Sequence, residues 1–151
     1  MTDLIFSTLQ QLPPEWRIVY QSGRYQLAVR DDSGPHDFHY YKRSNTILAY
    51  LSNRVDPLDT ALFEQSRFVC KIGTAAGILW HTQSDEFCIF RDAFGMIPWL
   101  STPGRGIFTT DPEFHAQIHA PSPLNPRWFA TFLQDEFSTA KDDVYVGSER
   151  I

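Results

Sequence analysis

Residues 75–91 read Ala-Ala-Gly-Ile-Leu-Trp-His-Thr-Gln-Ser-Asp-Glu-Phe-Cys-Ile-Phe-Arg, and this stretch decides the fold class. Its apolar runs predict one strand from Ala75 to Trp80 and another from Phe87 to Arg91. The polar residues Thr82 to Asp85 between them predict a turn. The stretch therefore indicates two consecutive strands of a sheet.

Further strands are expected on both sides. The runs at Arg17–Tyr20 and Tyr25–Val29 flank Gln21-Ser22-Gly23-Arg24, which predicts a hairpin with a glycine turn. The other strand candidates are His36–Tyr41, Thr46–Leu51, Phe68–Ile72, and a hairpin of Ile97–Leu100 with Gly106–Thr109 that turns at Thr102–Arg105.

Three helices are predicted to open at Asx-Pro pairs, at Asp56-Pro57, Asp111-Pro112 and Asn125-Pro126. Asp and Asn are good helix caps, and Pro is tolerated in the first turn because its missing N–H would have no helical partner there. A series of strands followed by helices predicts an α+β fold with helices packed on the sheet. No linker or repeat interrupts the sequence, so residues 1–151 are expected to form a single domain.

Composition narrows the functional class. The net charge of −5 argues against a nucleic-acid-binding protein, which normally presents a basic face. No basic stretch followed by an apolar run marks a signal peptide, and no apolar segment approaches bilayer length, so a soluble, cytoplasmic protein is expected. Cys70 and Cys88 each lie in an apolar run and are expected to be buried, reduced thiols.

The second half of the chain carries three ordered motifs. Lys71–Trp80 is a glycine-containing strand that ends in Trp. It is followed by Arg91-Asp92-Ala93-Phe94-Gly95-Met96-Ile97-Pro98-Trp99, and then by the strand and helix start Gly106–Glu113. The helix at Leu124-Asn125-Pro126 and the segment Val144–Ile151 complete the set. From about Lys71 onward the sequence resembles the N-terminal, glutaminase-like domain of the asparagine synthetase family, with Gly73, Trp80, Arg91, Asp92, Gly95 and Pro98 as the matching structural residues.

This resemblance implies a shortened N-terminal-nucleophile (Ntn) hydrolase-like sandwich, in which two stacked, mainly antiparallel sheets are flanked by helices. In active members of the family, an N-terminal Cys attacks the glutamine amide and its own α-amino group is the base. Here position 2 is Thr2, and the best match to the family's Asn-Gly-Glu oxyanion segment is Tyr50–Val55, which lacks that Asn and Gly. No arginine convincingly matches the clamp for the glutamine carboxylate.

The resemblance therefore favours the branch that has lost glutaminase activity, similar to beta-lactam synthetases and lasso-peptide cyclases in natural-product biosynthesis. In that branch a C-terminal ligase domain uses ATP and Mg²⁺ to form an amide bond. The Ser-Gly-Gly-x-Asp-Ser loop of that domain is not among these residues, and neither is a Walker-type loop, so no cofactor is expected in this chain. The expected role is that of a pseudoenzyme scaffold whose partner is a synthetase domain in cis or in trans, with a homo-oligomer also possible.

Two alternatives stay open. Thr2 could itself be the nucleophile of a working Ntn amidohydrolase, since threonine can serve in that role once Met1 is removed. The chain could instead be a free-standing module that binds a peptide or a small molecule.

Other polar residues give weaker signals. His115 and His119 lie four apart on one helix face but lack the Glu of a zinc-protease motif, so two surface histidines are expected. The acidic residues Asp135, Glu136, Asp142 and Asp143 are interpreted as a solvated face with a lesser chance of binding a charged partner, and His36, His39 and His81 have no neighbouring pattern that indicates a catalytic triad.

Overall fold

Short apolar runs separated by turns form antiparallel strands along the chain. A computed structural model describes residues 2–31, 36–53, 74–91, 96–119, 126, 130 and 149–150. In these ranges the strands are Asp3–Ser7 (β1), Arg17–Ser22 (β2), Tyr25–Arg30 (β3), Asp37–Arg43 (β4), Thr46–Ser52 (β5), Ala75–His81 (β6), Glu86–Arg91 (β7), Leu100–Thr102 (β8), Ile107–Thr109 (β9) and Glu149–Arg150 (β10). The helix Pro112–His119 (α1) follows β9, and a 3-10 turn spans Pro103–Arg105.

The strands form two sheets, and all the strand pairs are antiparallel. Sheet A has the order β10-β8-β9-β1-β3-β2, and sheet B has the order β4-β5-β6-β7. The expected α+β class and the antiparallel sheets are thus confirmed. The hairpin turn at Gly23 is also confirmed, since this glycine adopts the positive φ of 56° that a side chain disfavours.

The two sheets face each other across an aromatic core. Phe6 of β1 lies at its centre, stacked on Tyr25 at 4.6 Å and edge-on to Trp80 at 5.1 Å and to Phe87 at 4.9 Å. Ring pairs of this geometry add about 1 kcal/mol each beyond the burial of their apolar area. Trp80, one of the family-motif residues, is fully buried in this core.

Strand β1 was not predicted from the sequence, yet it lies in the interior of sheet A. It pairs with β3 on one side and with β9 on the other, so that Ile5 is opposite both Ala28 and Thr109. All five of its residues are buried. Successive side chains of a strand point to opposite faces. Leu4 and Phe6 accordingly face sheet B, while Ile5 packs with Trp16 and Phe114 on the side of α1.

Several details of the sequence prediction need correction. The strand expected at Ile97–Leu100 lies at Leu100–Thr102, because pairing with β9 places Leu100 opposite Thr109. Cys88 is exposed rather than buried, since Phe87 packs on Phe6 and Phe108 between the sheets, which leaves Cys88 on the other side of β7. Other predictions lie outside the described residues. They are the burial of Cys70, the helix at Asp56-Pro57 and the strand at Phe68–Ile72. The helix predicted at Asn125-Pro126 is described only at positions 126 and 130.

Candidate functional site

The candidate site is a cleft at the end of the sandwich where β1 begins. It has a volume of about 500 Å³ and is lined by Thr2, Arg17, Asp31, His36, Asp37, Phe38 and His39. These residues come from the starts of β1, β2 and β4 and from the end of β3. Within sheet A, antiparallel pairing places the starts of β1 and β2 beside the end of β3, and this gathers Thr2, Arg17 and Asp31 at one end.

Thr2 forms part of the cleft wall. It directly precedes β1 and is only 3% exposed. The other residues that line the cleft lie downstream in the sequence, at Arg17, at Asp31 and in the segment 36–39.

His39 is one of the lining residues, and its side chain is held by an aromatic contact. Its ring stacks on Tyr50 with centroids 4.7 Å apart, and its Nε2 atom is buried without a hydrogen-bond partner among the described residues. Buried polar atoms in native proteins usually have a partner. Phe38, its neighbour in β4, packs between the sheets, so the His39 ring lies on the opposite face of the strand and its Nε2 atom is not presented to the cleft.

A second polar cluster lies on the other face of β1 and involves Asp3, Arg30, Thr110 and Asp111. The Nη2 atom of Arg30 is 3.0 Å from Asp3 Oδ2 and 2.9 Å from Asp111 Oδ2; the second contact is an ion pair without hydrogen-bond geometry. Thr110 donates its hydroxyl proton to Asp3 Oδ1 at 3.1 Å. Burial raises the pKa of Asp3, opposed by its hydrogen bond with Arg30, and the nearby Asp111 carboxylate raises it further.

Asp111 also confirms the predicted helix cap. Its Oδ1 atom accepts hydrogen bonds from the backbone N–H groups of Glu113 at 2.8 Å and Phe114 at 3.1 Å. A carboxylate at this position satisfies free N–H groups and interacts favourably with the helix dipole. The cluster thus ties β1, β3 and α1 together.

The histidines of α1 are not surface residues, which corrects the prediction. His115 and His119 are 2% and 3% exposed, and their ring centroids are 4.6 Å apart. Their helix face packs toward sheet A, where His119 Nε2 lies 2.7 Å from Thr102 Oγ1. No group of three or more His, Cys, Asp or Glu side chains suited to a metal ion occurs in the described parts of the chain.

The remaining predicted residues are spread over the fold. Arg91 is exposed at the end of β7, and Pro98 is half-buried between β7 and β8. Some predicted residues lie outside the described residues: Gly73, Asp92, Gly95 and the acidic residues at positions 135, 136, 142 and 143.

In the stretch compared with the oxyanion segment, Asn53 follows β5 and accepts a hydrogen bond from the N–H of Thr74 at 3.0 Å. His81 lies away from the cleft and contacts Thr46 Oγ1 through Nδ1 at 3.1 Å.

Sequence reasoning missed three charged residues of the cleft, Arg17, Asp31 and Asp37. A usable signal was the short apolar run Leu4-Ile5-Phe6 after Thr2, which predicts a buried strand. The pairing of this run with β3 depends on long-range contacts that the run alone does not specify. The cleft forms only once this pairing is made, so it could not be predicted from the run.

Comparisons with protein-family models, with curated proteins and with solved structures give no significant match. None of the described helices is long and apolar enough to cross a membrane.

Proposed function

We propose that this chain is a glutaminase-like domain of the asparagine synthetase family that has lost glutaminase activity and serves as a scaffold for an ATP-dependent, amide-forming synthetase domain. The proposed fold is the Ntn hydrolase-like sandwich. Two facing antiparallel sheets, with buried Thr2 directly before an interior strand, support it. ATP and Mg²⁺ belong to the synthetase domain in this proposal.

The observation that carries the proposal is the internal ion pairing of Arg30. The guanidinium of Arg30, near the start of β1, contacts the buried carboxylates of Asp3 and Asp111, so it is committed to the fold rather than to a substrate carboxylate. Asn53 Oδ1 accepts a hydrogen bond from the backbone N–H of Thr74, which directly precedes β6, so this atom holds the start of that strand. A guanidinium held by two buried carboxylates stabilises the domain and is not available to clamp the carboxylate of glutamine.

The glutaminase activity of the purified chain tests the proposal. We expect no release of glutamate from glutamine, and no difference between the wild type, Thr2→Ala and Thr2→Ser. Mass spectrometry of the intact chain reports whether Met1 is retained, which would block a nucleophilic role for Thr2. Glutamate release that is lost in Thr2→Ala and kept in Thr2→Ser would contradict the scaffold role.

The partner is tested separately by reading the gene downstream of Ile151 and the neighbouring genes. We expect a Ser-Gly-Gly-x-Asp-Ser loop in frame or in an adjacent gene, and we expect co-purification of the encoded domain with this chain. Failure of the two to associate when co-expressed would count against the scaffold role.

A second candidate is the Thr2 amidohydrolase, and the cleft is the observation that favours it. Thr2 is buried at the start of β1, and ionisable side chains that could orient a substrate line the same space. The assay with Thr2→Ala and Thr2→Ser separates the two functions directly, because only the hydrolase requires the Thr2 hydroxyl.

A further inference from the structure

The four edge strands of the two described sheets differ in how they are protected from pairing with another chain. Edge strands expose unpaired backbone groups, and native proteins block them with bulges, with lysines or by keeping them very short. The edge β2 carries a bulge between Ile18 and Tyr20, the edge β4 carries the exposed Lys42, and the edge β10 has only two residues. Each of these three edges therefore has a feature that opposes pairing.

Strand β7 is the fourth edge and has none of these features. Its six residues, Glu86–Arg91, pair with β6 in a continuous register without a bulge, and they include no lysine, proline or glycine. No described strand pairs with its outer side. Cys88, at the middle of the strand, is exposed. The backbone of β7 is therefore the edge most open to a further strand.

One carbonyl group of β7 already has a side-chain partner. Trp99 donates a hydrogen bond from Nε1 to the carbonyl oxygen of Phe90 at 3.2 Å. A carbonyl oxygen has two lone pairs, so this contact does not prevent Phe90 from accepting a second hydrogen bond.

The charges of β7 are separated along the strand. Asp85 and Glu86 lie at its start, and the exposed Arg91 lies at its end. If two copies pair antiparallel, the acidic start of each copy lies beside the basic end of the other. A parallel pair would instead bring like charges together. Opposite charges across a strand pair stabilise a sheet and like charges destabilise it, so the pattern favours antiparallel self-pairing.

From these features we propose that two copies of this chain pair antiparallel along β7, with the two Cys88 residues opposite each other at the twofold axis. Phe87 then lies opposite Ile89 of the second copy, and both are on the core side of the sheet. The two copies of sheet B join into one continuous sheet with both cores on the same side. The Cα atoms of the two Cys88 residues lie about 5 Å apart in such a pair.

Sedimentation equilibrium tests the dimer. We expect the wild type to convert reversibly from monomer to dimer between micromolar and millimolar concentrations. Cys88→Lys should raise the dissociation constant about ten-fold, because it places two like charges opposite each other at the axis. Cys88→Ser is the matched control and should dimerise like the wild type. A wild type that stays monomeric throughout this range, or a dimer that Cys88→Lys leaves unchanged, would overturn the proposal.

Charge exchange tests the direction of pairing. Glu86→Arg and Arg91→Glu should each weaken dimerisation about five-fold, the usual size of exposed ion pairs, while the folded monomer keeps its stability toward urea. The double variant exchanges the two charges and should restore most of the affinity. Single variants without effect, or a double variant that dimerises more weakly than either single variant, would exclude the antiparallel arrangement.

A cysteine cross-link tests the position of the axis. In a chain with Cys70→Ser, oxidised glutathione should join the two Cys88 thiols in a disulfide and be reduced to two thiols, because their Cα separation suits this bond. The control chain also carries Cys88→Ser and Ser84→Cys, which moves the thiol to the exposed turn before β7. It should remain largely without cross-links. Equal cross-linking of the two chains would show that the copies do not meet at Cys88.

Pairing along β7 involves neither Thr2 nor a synthetase domain. A monomeric chain would therefore leave the scaffold proposal standing, and loss of the scaffold proposal would leave the dimer standing.

Discussion

The two faces of strand β1 differ in the way they are stabilised. Toward sheet B the strand presents Leu4 and Phe6 to an apolar core. Toward α1 it presents Ile5, which packs with apolar residues, and Asp3, whose carboxylate is held by Arg30 and Thr110. The same five residues thus contribute to a dry aromatic contact and to a buried ionic cluster.

This difference shows where the fold tolerates change. Truncating a buried apolar side chain lowers the free energy of unfolding in proportion to the area and volume removed. For a buried ion pair, removing one partner lowers the free energy of unfolding more than removing both, because the remaining charge has neither water nor a counter-ion. In the ionic cluster of Asp3, Arg30 and Asp111, a paired substitution should therefore cost less stability than the single removal of the cation.

The largest effect is expected on the apolar face. Phe6→Ala should lower the free energy of unfolding by about 4 kcal/mol, because Phe6 is fully buried and touches three aromatic rings. Urea-induced unfolding followed by tryptophan fluorescence measures the change. Phe6→Leu keeps most of the volume and should cost much less. Similar stabilities of the Ala and Leu variants would mean that the sheets do not pack on Phe6.

A somewhat smaller loss of stability is expected in the ionic cluster of Asp3, Arg30 and Asp111. Arg30→Met should lower the free energy of unfolding by about 3 kcal/mol, since Asp3 and Asp111 then stay buried without their cation. Asp3→Asn in the same chain should restore part of the loss. Arg24→Met is the control, because Arg24 is exposed and packs over the Tyr25 ring. A double variant less stable than Arg30→Met would exclude a shared ionic cluster.

The smallest effect is expected in the pH dependence of the free energy of unfolding. Burial raises the pKa of Asp3 in the folded chain, so the folded state holds this proton more tightly than the unfolded state does. The stability linked to this proton is present below the unfolded pKa and is lost as the pH rises through the folded pKa. Asp3→Asn should therefore gain stability relative to the wild type as the pH rises from 4 to 7.

Unfolding curves of both proteins across this pH range measure the difference. A difference that is flat, or that falls with rising pH, would mean that Asp3 is ionised at no cost in the fold.

Local sequence signals were reliable for hairpins and for the helix start. Gly23 and the polar residues Thr82–Asp85 give turns at the expected places, and Asp111-Pro112 opens a helix as expected. Turn and cap preferences act over a few residues, so they can be read without the rest of the chain. The wrong predictions for Cys88 and for His115 and His119 concerned burial, which depends on the element that packs against each residue.

The sequence by itself determined the α+β class, the hairpins and the capped start of α1, because their physical causes are local. Only the tertiary structure decided that β1 lies inside sheet A, with Leu4 accepting a hydrogen bond from Thr109, which is 105 residues away. It also decided that Thr2 lies in a charged cleft and that the two helix histidines are buried. Strands that are far apart in the sequence pair according to the packing of both of their faces. This packing involves residues from many parts of the chain, so it cannot be predicted from one short stretch of sequence.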